Sequence, residues 1–245
     1  MSKVIVITGA GVGLGRAIAR RLAADGDQVV LLGRTLSKIE AAAAEIGAQA
    51  MAVQCDIGCP DSVRAAFTTI NARHPKIDVL INNAAIFEPF LLADATDQQI
   101  LNGVTTNLTG TMFCIRSAIP LMGKGSHIFN ITSESVDMDF PHLSVYQSTK
   151  AGVERLSKSL YSELEPQGIR VTNVRAGQMY EEGKVWEADP AAQMAFAKAA
   201  MARGLNLRER PLSQFNSVAE VFRSLIDLPA DLHVDAINLH GHKAN

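Results

Sequence analysis

At 245 residues, with 23 Lys and Arg against 25 Asp and Glu and a formal net charge of −2, the chain can bury a sizeable core but carries no charge excess that would recruit nucleic acid or an anionic membrane. Its three cysteines, Cys55, Cys59 and Cys114, form no disulfide framework, and Cys55 and Cys59 around Asp56 lack the second pair or histidine cluster that would complete a metal site. Met1-Ser2-Lys3 leads straight into a strand with no room for a signal sequence, and no apolar run reaches the length of a membrane span, so one soluble, cytoplasmic domain over 1–245 is expected.

The apolar, β-branched run Val4 to Ile7 reads as a strand that stops at Thr8-Gly9-Ala10-Gly11-Val12-Gly13-Leu14-Gly15, after which Leu14, Ile18 and Leu22 recur at helical spacing. Strand, glycine loop and helix in that order bring backbone N–H groups and a helix N-terminus to one spot, a natural seat for a pyrophosphate. Gln28 to Leu32 is a second strand, and Ser37-x-x-Glu40 reads as a capping box opening a helix to about Ile46. Met51 to Cys55 is a third strand, followed by Asp56-Ile57 and a helix that Pro60 starts and that runs to about Arg73. Val79 to Ile81 is a fourth, ending in Asn82-Asn83-Ala84-Ala85.

Thr96-x-x-Gln99 can cap a long helical region that carries Asn107 and runs to about Met122. His127 to Ile131 returns as a fifth strand, and the polar segment Thr132 to Leu143 reads as a loop delivering the chain to a helix with Tyr146 and Lys150 in its first turn. Gln167-Gly168 ends that helix, Ile169 to Val174 is a sixth strand, and Ala236 to Leu239 is a seventh. This alternation predicts an α/β fold, a doubly wound parallel sheet of about seven strands with helices on both faces. Gly9, Arg34, Asp56, Asn83, Ser133 and Gly177 each follow a predicted strand, so they should converge at the carboxyl edge, where such sheets bind ligands.

Tyr146 and Lys150 are four apart and share a helical face. An ammonium about 4 Å from a phenolate, at an effective dielectric near 20, favours the anion by roughly 4 kcal/mol. That is about three pK units. The expectation is a tyrosine lowered from its usual value toward neutrality, less the cost of desolvation, and able to exchange a proton with a carbonyl or alcohol. The second strand ends Leu31-Leu32-Gly33-Arg34, without an acid to hold an unphosphorylated ribose, while Arg34 offers a guanidinium fork to a 2′-phosphate. NADP(H) is therefore expected over NAD(H).

The glycine pattern Thr8-Gly9-x-x-x-Gly13-x-Gly15, Asn82-Asn83-Ala84-Ala85, Asn107, Ser133 and Tyr146-x-x-x-Lys150 together resemble the short-chain dehydrogenase/reductase family, in its compact form, over nearly the whole chain. The resemblance implies a Rossmann-fold oxidoreductase acting on a small carbonyl or alcohol, and a homodimer or homotetramer. By the same resemblance Tyr146 moves the proton and Ser133, preferred over Ser135, holds the substrate oxygen. Lys150 lowers the tyrosine pKa and meets the nicotinamide ribose, and Asn107 positions a water linking Lys150 to solvent. Gly9, Gly11 and Leu14 fall near the phosphates and ribose, Asp56 and Ile57 near adenine, Asn83, Ala84 and Ala85 along the second ribose, and Gly177 and Met179 beside the nicotinamide.

Four departures from the family pattern stand out: Ala85 for a glycine, Ala176 for a proline, Glu181 for a threonine that meets the carboxamide, and Asn238-Leu239-His240-Gly241 for a pair of glycines. Glu181 either contacts the nicotinamide or faces water. A sensor or scaffold that binds a dinucleotide without turnover would need the glycine loop but not Tyr146, Lys150, Ser133 and Asn107 together. A sugar-nucleotide epimerase or dehydratase would need a substrate domain that this length does not hold. Residues 178–216 form an insert whose Met179, Tyr180, Trp186, Met194, Phe196 and Met201 could cover a substrate or serve as plain helix core. Glu88, Glu134, Asp137, Asp139, Glu181 and Glu182 fall near the expected mouth, as a solvated acidic rim or as a sign of a neutral or cationic substrate.

Overall fold

The computed structural model describes residues 2–181, 186 and 188–243. Strand β1 (Val4–Thr8) leads into helix α1 (Gly13–Ala24), β2 (Gln28–Gly33), α2 (Leu36–Ile46), β3 (Ala50–Gln54), α3 (Pro60–Arg73) and β4 (Val79–Asn82). Next come α4 (Asp97–Val104), a π-helical turn (Thr105–Thr109), α5 (Gly110–Ala118), β5 (His127–Ser133), α6 (Ser144–Leu164) and β6 (Arg170–Ala176). The chain closes with β7 (Met179–Tyr180), α7 (Pro190–Ala202), β8 (Ser213–Gln214), α8 (Phe215–Ile226) and β9 (Ala236–Leu239).

Seven strands form one parallel sheet in the order β3-β2-β1-β4-β5-β6-β9, the doubly wound arrangement expected from the alternation of elements. Successive side chains of a strand point to opposite faces, and β1 shows why a continuous apolar run is needed at its centre. Ile5 and Ile7 pack with Leu14, Ile18 and Phe222 from α1 and α8, whereas Val6 packs with Phe67, Ile115 and Leu160 from α3, α5 and α6. The strand order reverses between β1 and β4, where Ile7 pairs with Ile81, so the glycine loop and the Asn82-Asn83 loop leave the sheet side by side. That reversal opens the crevice.

A buried polar chain crosses one face and sets the register of α6. Asn82 Nδ2 donates to Asn130 Oδ1 at 2.8 Å, and Asn130 Nδ2 donates to Ser157 Oγ at 2.9 Å. A hydrogen bond inside the core is costly to leave unmade, so this chain admits one placement of α6 on the sheet and hence of Lys150 and Tyr146, two and three turns upstream.

Local signals held at several helix ends. Thr96 and Gln99 form the reciprocal capping box, Pro60 opens α3, and Gly168 takes the left-handed conformation (φ 70°) after the 3-10 turn that ends α6. Ser37 does not cap α2, which starts one residue earlier, at Leu36, after an N-cap Thr35 that makes no side-chain cap bond. Burial of Ile39 against Gly33, where a Cβ would approach Ile39 Cγ2 to 2.7 Å, fixes the helix start in place of a cap. The insert is a parallel pair, β7 with β8, and the helix α7 between them, capped by the Asp189 carboxylate on Ala192 N–H.

Candidate active site

Gly9 has φ 67°, and a Cβ there would lie 2.9 Å from Ala84 Cα, so glycine is required both by conformation and by close approach. Asn83 closes the other side: its Nδ2 donates to Thr8 O (2.9 Å) and Gly9 O (3.2 Å), while Asn83 N and Ala84 N both donate to Thr8 Oγ1. Val12, the N-cap of α1, supplies no side-chain acceptor, so the first N–H groups of the helix stay available to a phosphate.

A cleft of ≈ 380 Å³ runs from this loop along the sheet edge, and Gly9, Gly11, Leu14 and Arg34 line it. Asp56, Ile57, Asn83, Ala84 and Ala85 line the same cleft. Arg34 is exposed at the far end beside Thr35 and Lys38, and its carbonyl accepts from Gln54 Nε2. A second cavity of ≈ 550 Å³ shares Leu14, Asn83 and Ala85 with the first and is lined by Ser133, Tyr146, Lys150, Gly177 and Met179. Of the candidate residues only Asn107 lies outside both.

Within the inner cavity Ser133 and Tyr146 line the same space, and Ser133 Oγ accepts from Ser135 N at 3.1 Å. Lys150 Nζ donates to Ile131 O at 2.8 Å and lies 5.8 Å from the Tyr146 ring centroid. Burial pushes the phenol up to about 12, against the opposing effect of Ser133, and pushes the ammonium down to about 8. The expectation of a phenol lowered by its i+4 lysine is therefore corrected for the protein alone. Desolvation sets both shifts, and the lysine spends its hydrogen bond on the β5 backbone, not on the phenol.

Asn107 occupies the π turn, and its side chain clamps the chain leaving β4: Oδ1 accepts from Ile86 N (2.7 Å) and Nδ2 donates to Ile86 O (2.9 Å). Nδ2 also reaches Thr149 Oγ1 at 3.3 Å, next in sequence to Lys150. A void of ≈ 10 Å³, about the volume of one water, is bounded by Asn107, Tyr146, Glu88 and Gln99. Glu181 neither lines the inner cavity nor stands alone in water: it pairs with Arg16 of α1 at 3.2 Å.

Gly177 is dictated by β9, since a Cβ would stand 2.6 Å from Leu239 O, to which Gly177 N donates. Three carboxylates of the acidic rim, Glu134, Asp137 and Glu181, are paired with arginines. Glu134 accepts from Arg210 at 2.7 Å, Asp137 pairs with Arg175, and Glu88 accepts from Gln99, while Glu182 lies outside the described residues. Among the described residues no group of three acidic, histidine or cysteine side chains could hold a metal. Among them, too, no helix is long and apolar enough to cross a membrane.

The insert divides between the two roles open to it. Met179, Trp186 and Phe196 line the cavity, whereas Tyr180, Met194 and Met201 are exposed. Sequence reasoning missed Phe87, Phe140, Gln178 and Arg210, which also line it. Phe87 was findable, as a large aromatic two residues beyond Ala85 in a loop already marked, but the others have no local signal.

The family model described as short chain dehydrogenase matches residues 3–185. Carbonyl reductase family member 4 of Danio rerio is 30% identical over 230 residues, covering 93% of this chain and 91% of its own. Among solved structures, a short chain dehydrogenase from Burkholderia cenocepacia J2315 in complex with NADP superposes with a TM-score of 0.83 at 26% identity, over 98% of this chain and 96% of that one. A 3-ketoacyl-(acyl-carrier-protein) reductase from Brucella melitensis complexed with NADH gives 0.81 at 27% identity, over 98% and 97%. With the glycine loop, the Asn82-Asn83 turn and the Tyr146–Lys150 helix meeting at one crevice, these matches place the chain in the short-chain dehydrogenase family of oxidoreductases.

Proposed function

We propose that the protein interconverts a small carbonyl compound and its alcohol with NADP(H), using Tyr146, Ser133, Lys150 and Asn107. The observation that carries this reading is that Ser133, Tyr146 and Lys150 line one cavity that shares its walls with the glycine-loop cleft. The cradle suits a dinucleotide: open N–H groups at the start of α1, a glycine loop packed closely on Asn83 and Ala84, and no carboxylate at the end of β2.

When bound, a reduced dinucleotide supplies the hydride that converts the carbonyl carbon to a carbinol. The chain's own residues do the rest. Ser133 holds the carbonyl oxygen and Tyr146 gives it a proton, which solvent then restores to the phenol. A phenol held near 12 is protonated at neutral pH and so has a proton to give, but it is a weaker acid than a free tyrosine. Lys150, in the cavity wall, stabilises the phenolate left behind as its charge develops. Asn107 fixes the loop after β4 and the Thr149 turn beside the lysine. Arg34 receives the 2′-phosphate. The Burkholderia relative bound to NADP supports this choice, while the Brucella relative bound to NADH shows that similar chains also take the unphosphorylated form.

Tyr146→Phe tests the reading. It should abolish turnover of a carbonyl panel while leaving NADPH affinity within a few fold, and turnover near wild type would remove Tyr146 as the proton donor.

A further inference from the structure

The inner cavity has an aromatic wall that proton and dinucleotide handling do not require. Phe87 meets Tyr146 edge-to-face with ring centroids 4.9 Å apart, lies 5.0 Å from Trp186 in a tilted stack, and is 6.2 Å from Phe196 at 87°. Phe140 continues the wall, 5.9 Å from Phe196. The Phe87 backbone is held from two sides, by the Asn107 clamp on the preceding residue and by Trp186 Nε1–H, which donates to Phe87 O at 3.2 Å. The residue nevertheless remains 37% exposed and lines the cavity. A large aromatic fixed in place and left partly uncovered is a surface waiting for an apolar partner.

Charge narrows that partner further. The charged residues among the described lining are Lys150, Glu134 and Arg210. Lys150 is committed to Ile131 O, and Arg210 is committed to Glu134, with His240 Nδ1 also 3.2 Å from the same carboxylate oxygen. Arg210 and Glu134 already neutralise each other, so a substrate carboxylate or phosphate would lie beside the Glu134 carboxylate and a substrate ammonium would have to compete with Arg210 for it. Both are disfavoured in a partly buried site, because either adds a charge that the pair leaves uncompensated.

We propose that the site takes an uncharged carbonyl compound carrying an aromatic ring, an aryl ketone or the corresponding alcohol, with Phe87, Trp186 and Phe196 holding the ring. This rests on the carbonyl–alcohol reading above. Ring quadrupoles make the difference between an aryl group and an alicyclic one of the same size: only the aryl ring gains edge-to-face contacts with three rings already set at angles to one another.

The chain's single tryptophan is Trp186, so its fluorescence reports this wall alone. Two measurements on the full chain are combined. In the first, kcat/KM with NADPH is compared for acetophenone, cyclohexyl methyl ketone, 4-acetylbenzoate and a 4-trimethylammonio acetophenone. Acetophenone should exceed cyclohexyl methyl ketone by about tenfold, the size expected of two or three ring contacts, and should exceed both charged ketones. In the second, 1-phenylethanol and 1-cyclohexylethanol are titrated with excitation at the red edge of tryptophan absorption, and only the aryl alcohol should shift the emission at low concentration. Phe87→Leu, at a partly exposed position that tolerates the change, should bring the aryl-to-cyclohexyl ratio close to one in both measurements. An emission shift without turnover of any ketone would support the aryl site and sink the redox reading. Turnover with no aryl preference, a preference for either charged ketone, or a ratio unmoved by Phe87→Leu would overturn the aryl site and leave the redox reading standing. Absence of both turnover and emission shift overturns both.

Discussion

Arg16 Nη2 donates to Glu181 Oε1 at 3.2 Å and so ties the first turn of α1 to the chain just beyond β7. The glycine-loop helix and the start of the segment that covers the cavity are thus joined by an ion pair between residues 165 apart in sequence. Both side chains are partly exposed, which limits the pair to about 1 kcal/mol or less.

The first prediction follows from that pairing. Because the carboxylate is spent on Arg16, Glu181→Thr should leave the ratio of dissociation constants for reduced and oxidised dinucleotide unchanged within about twofold and lower stability by about 0.5–1 kcal/mol. Titrating both forms against wild type and variant is the measurement. A shift in the ratio of tenfold would put the carboxylate on the nicotinamide after all.

Arg34 gives the second. Removing a charge-assisted contact to a 2′-phosphate typically weakens binding by roughly ten- to a hundredfold, so Arg34→Ala should cut the NADPH-over-NADH preference by that factor, with NADH affinity little changed. An unchanged preference, or a wild type that prefers NADH, removes the assignment.

A third prediction concerns acid. His127 stacks on Phe129 with centroids 3.9 Å apart, its Nε2 is 2.7 Å from Thr172 Oγ1, and burial lowers its pKa to about 2. The folded protein keeps this histidine neutral, while the unfolded chain takes up a proton below about 6.5. Stability should therefore be lost as pH falls, by about 2 kcal/mol from this group between pH 7 and pH 5. Urea unfolding at the two values should show the loss in wild type, and His127→Gln should lose about 2 kcal/mol less over the same interval.

The fourth tests the buried chain behind the site. Asn130→Ala would strand the Asn82 amide and the Ser157 hydroxyl inside the core, at a cost of about 2–3 kcal/mol. If that chain is what seats α6, kcat should fall even at temperatures where the variant is fully folded by circular dichroism. A variant equally destabilised but fully active would show that packing alone positions Tyr146.

The sheet was legible because parallel strands buried on both faces must be written as unbroken runs such as Ile5-Val6-Ile7, and the crevice followed from where those runs stop. Ser133, just past the fifth run, was legible for the same reason, and Tyr146 and Lys150 were legible from their four-residue spacing on one helical face. Their mutual electrostatics were not: four residues' spacing fixes a shared face, but it cannot say that the lysine will reach a carbonyl on β5 instead of the phenol. Ser37 misled because a capping pattern is worth less than the burial of Ile39 two residues on. The aromatic wall was invisible because Phe87, Phe140 and Phe196 come from three separate segments, and only the closed fold makes them neighbours.

The π turn at Thr105–Thr109 carries a consequence for how this chain can vary. A Cβ on Gly103 would meet Val145 Cγ1 of α6 at 3.1 Å, and one on Gly110 would meet Ile57 O beyond β3 at 2.9 Å, so the two halves of this helical stretch dock on different partners. Seven residues along a regular α-helix nearly complete two turns and would point both glycines the same way. Deleting one residue from the turn would leave the glycines six apart on a regular helix, about 600° of rotation, which keeps them on different faces and both seats filled. What the deletion would disturb is the turn itself, from which Asn107 reaches Ile86 and Thr149. The extra residue is therefore held by the site and not by the fold, and a single deletion there should cost activity far more than stability.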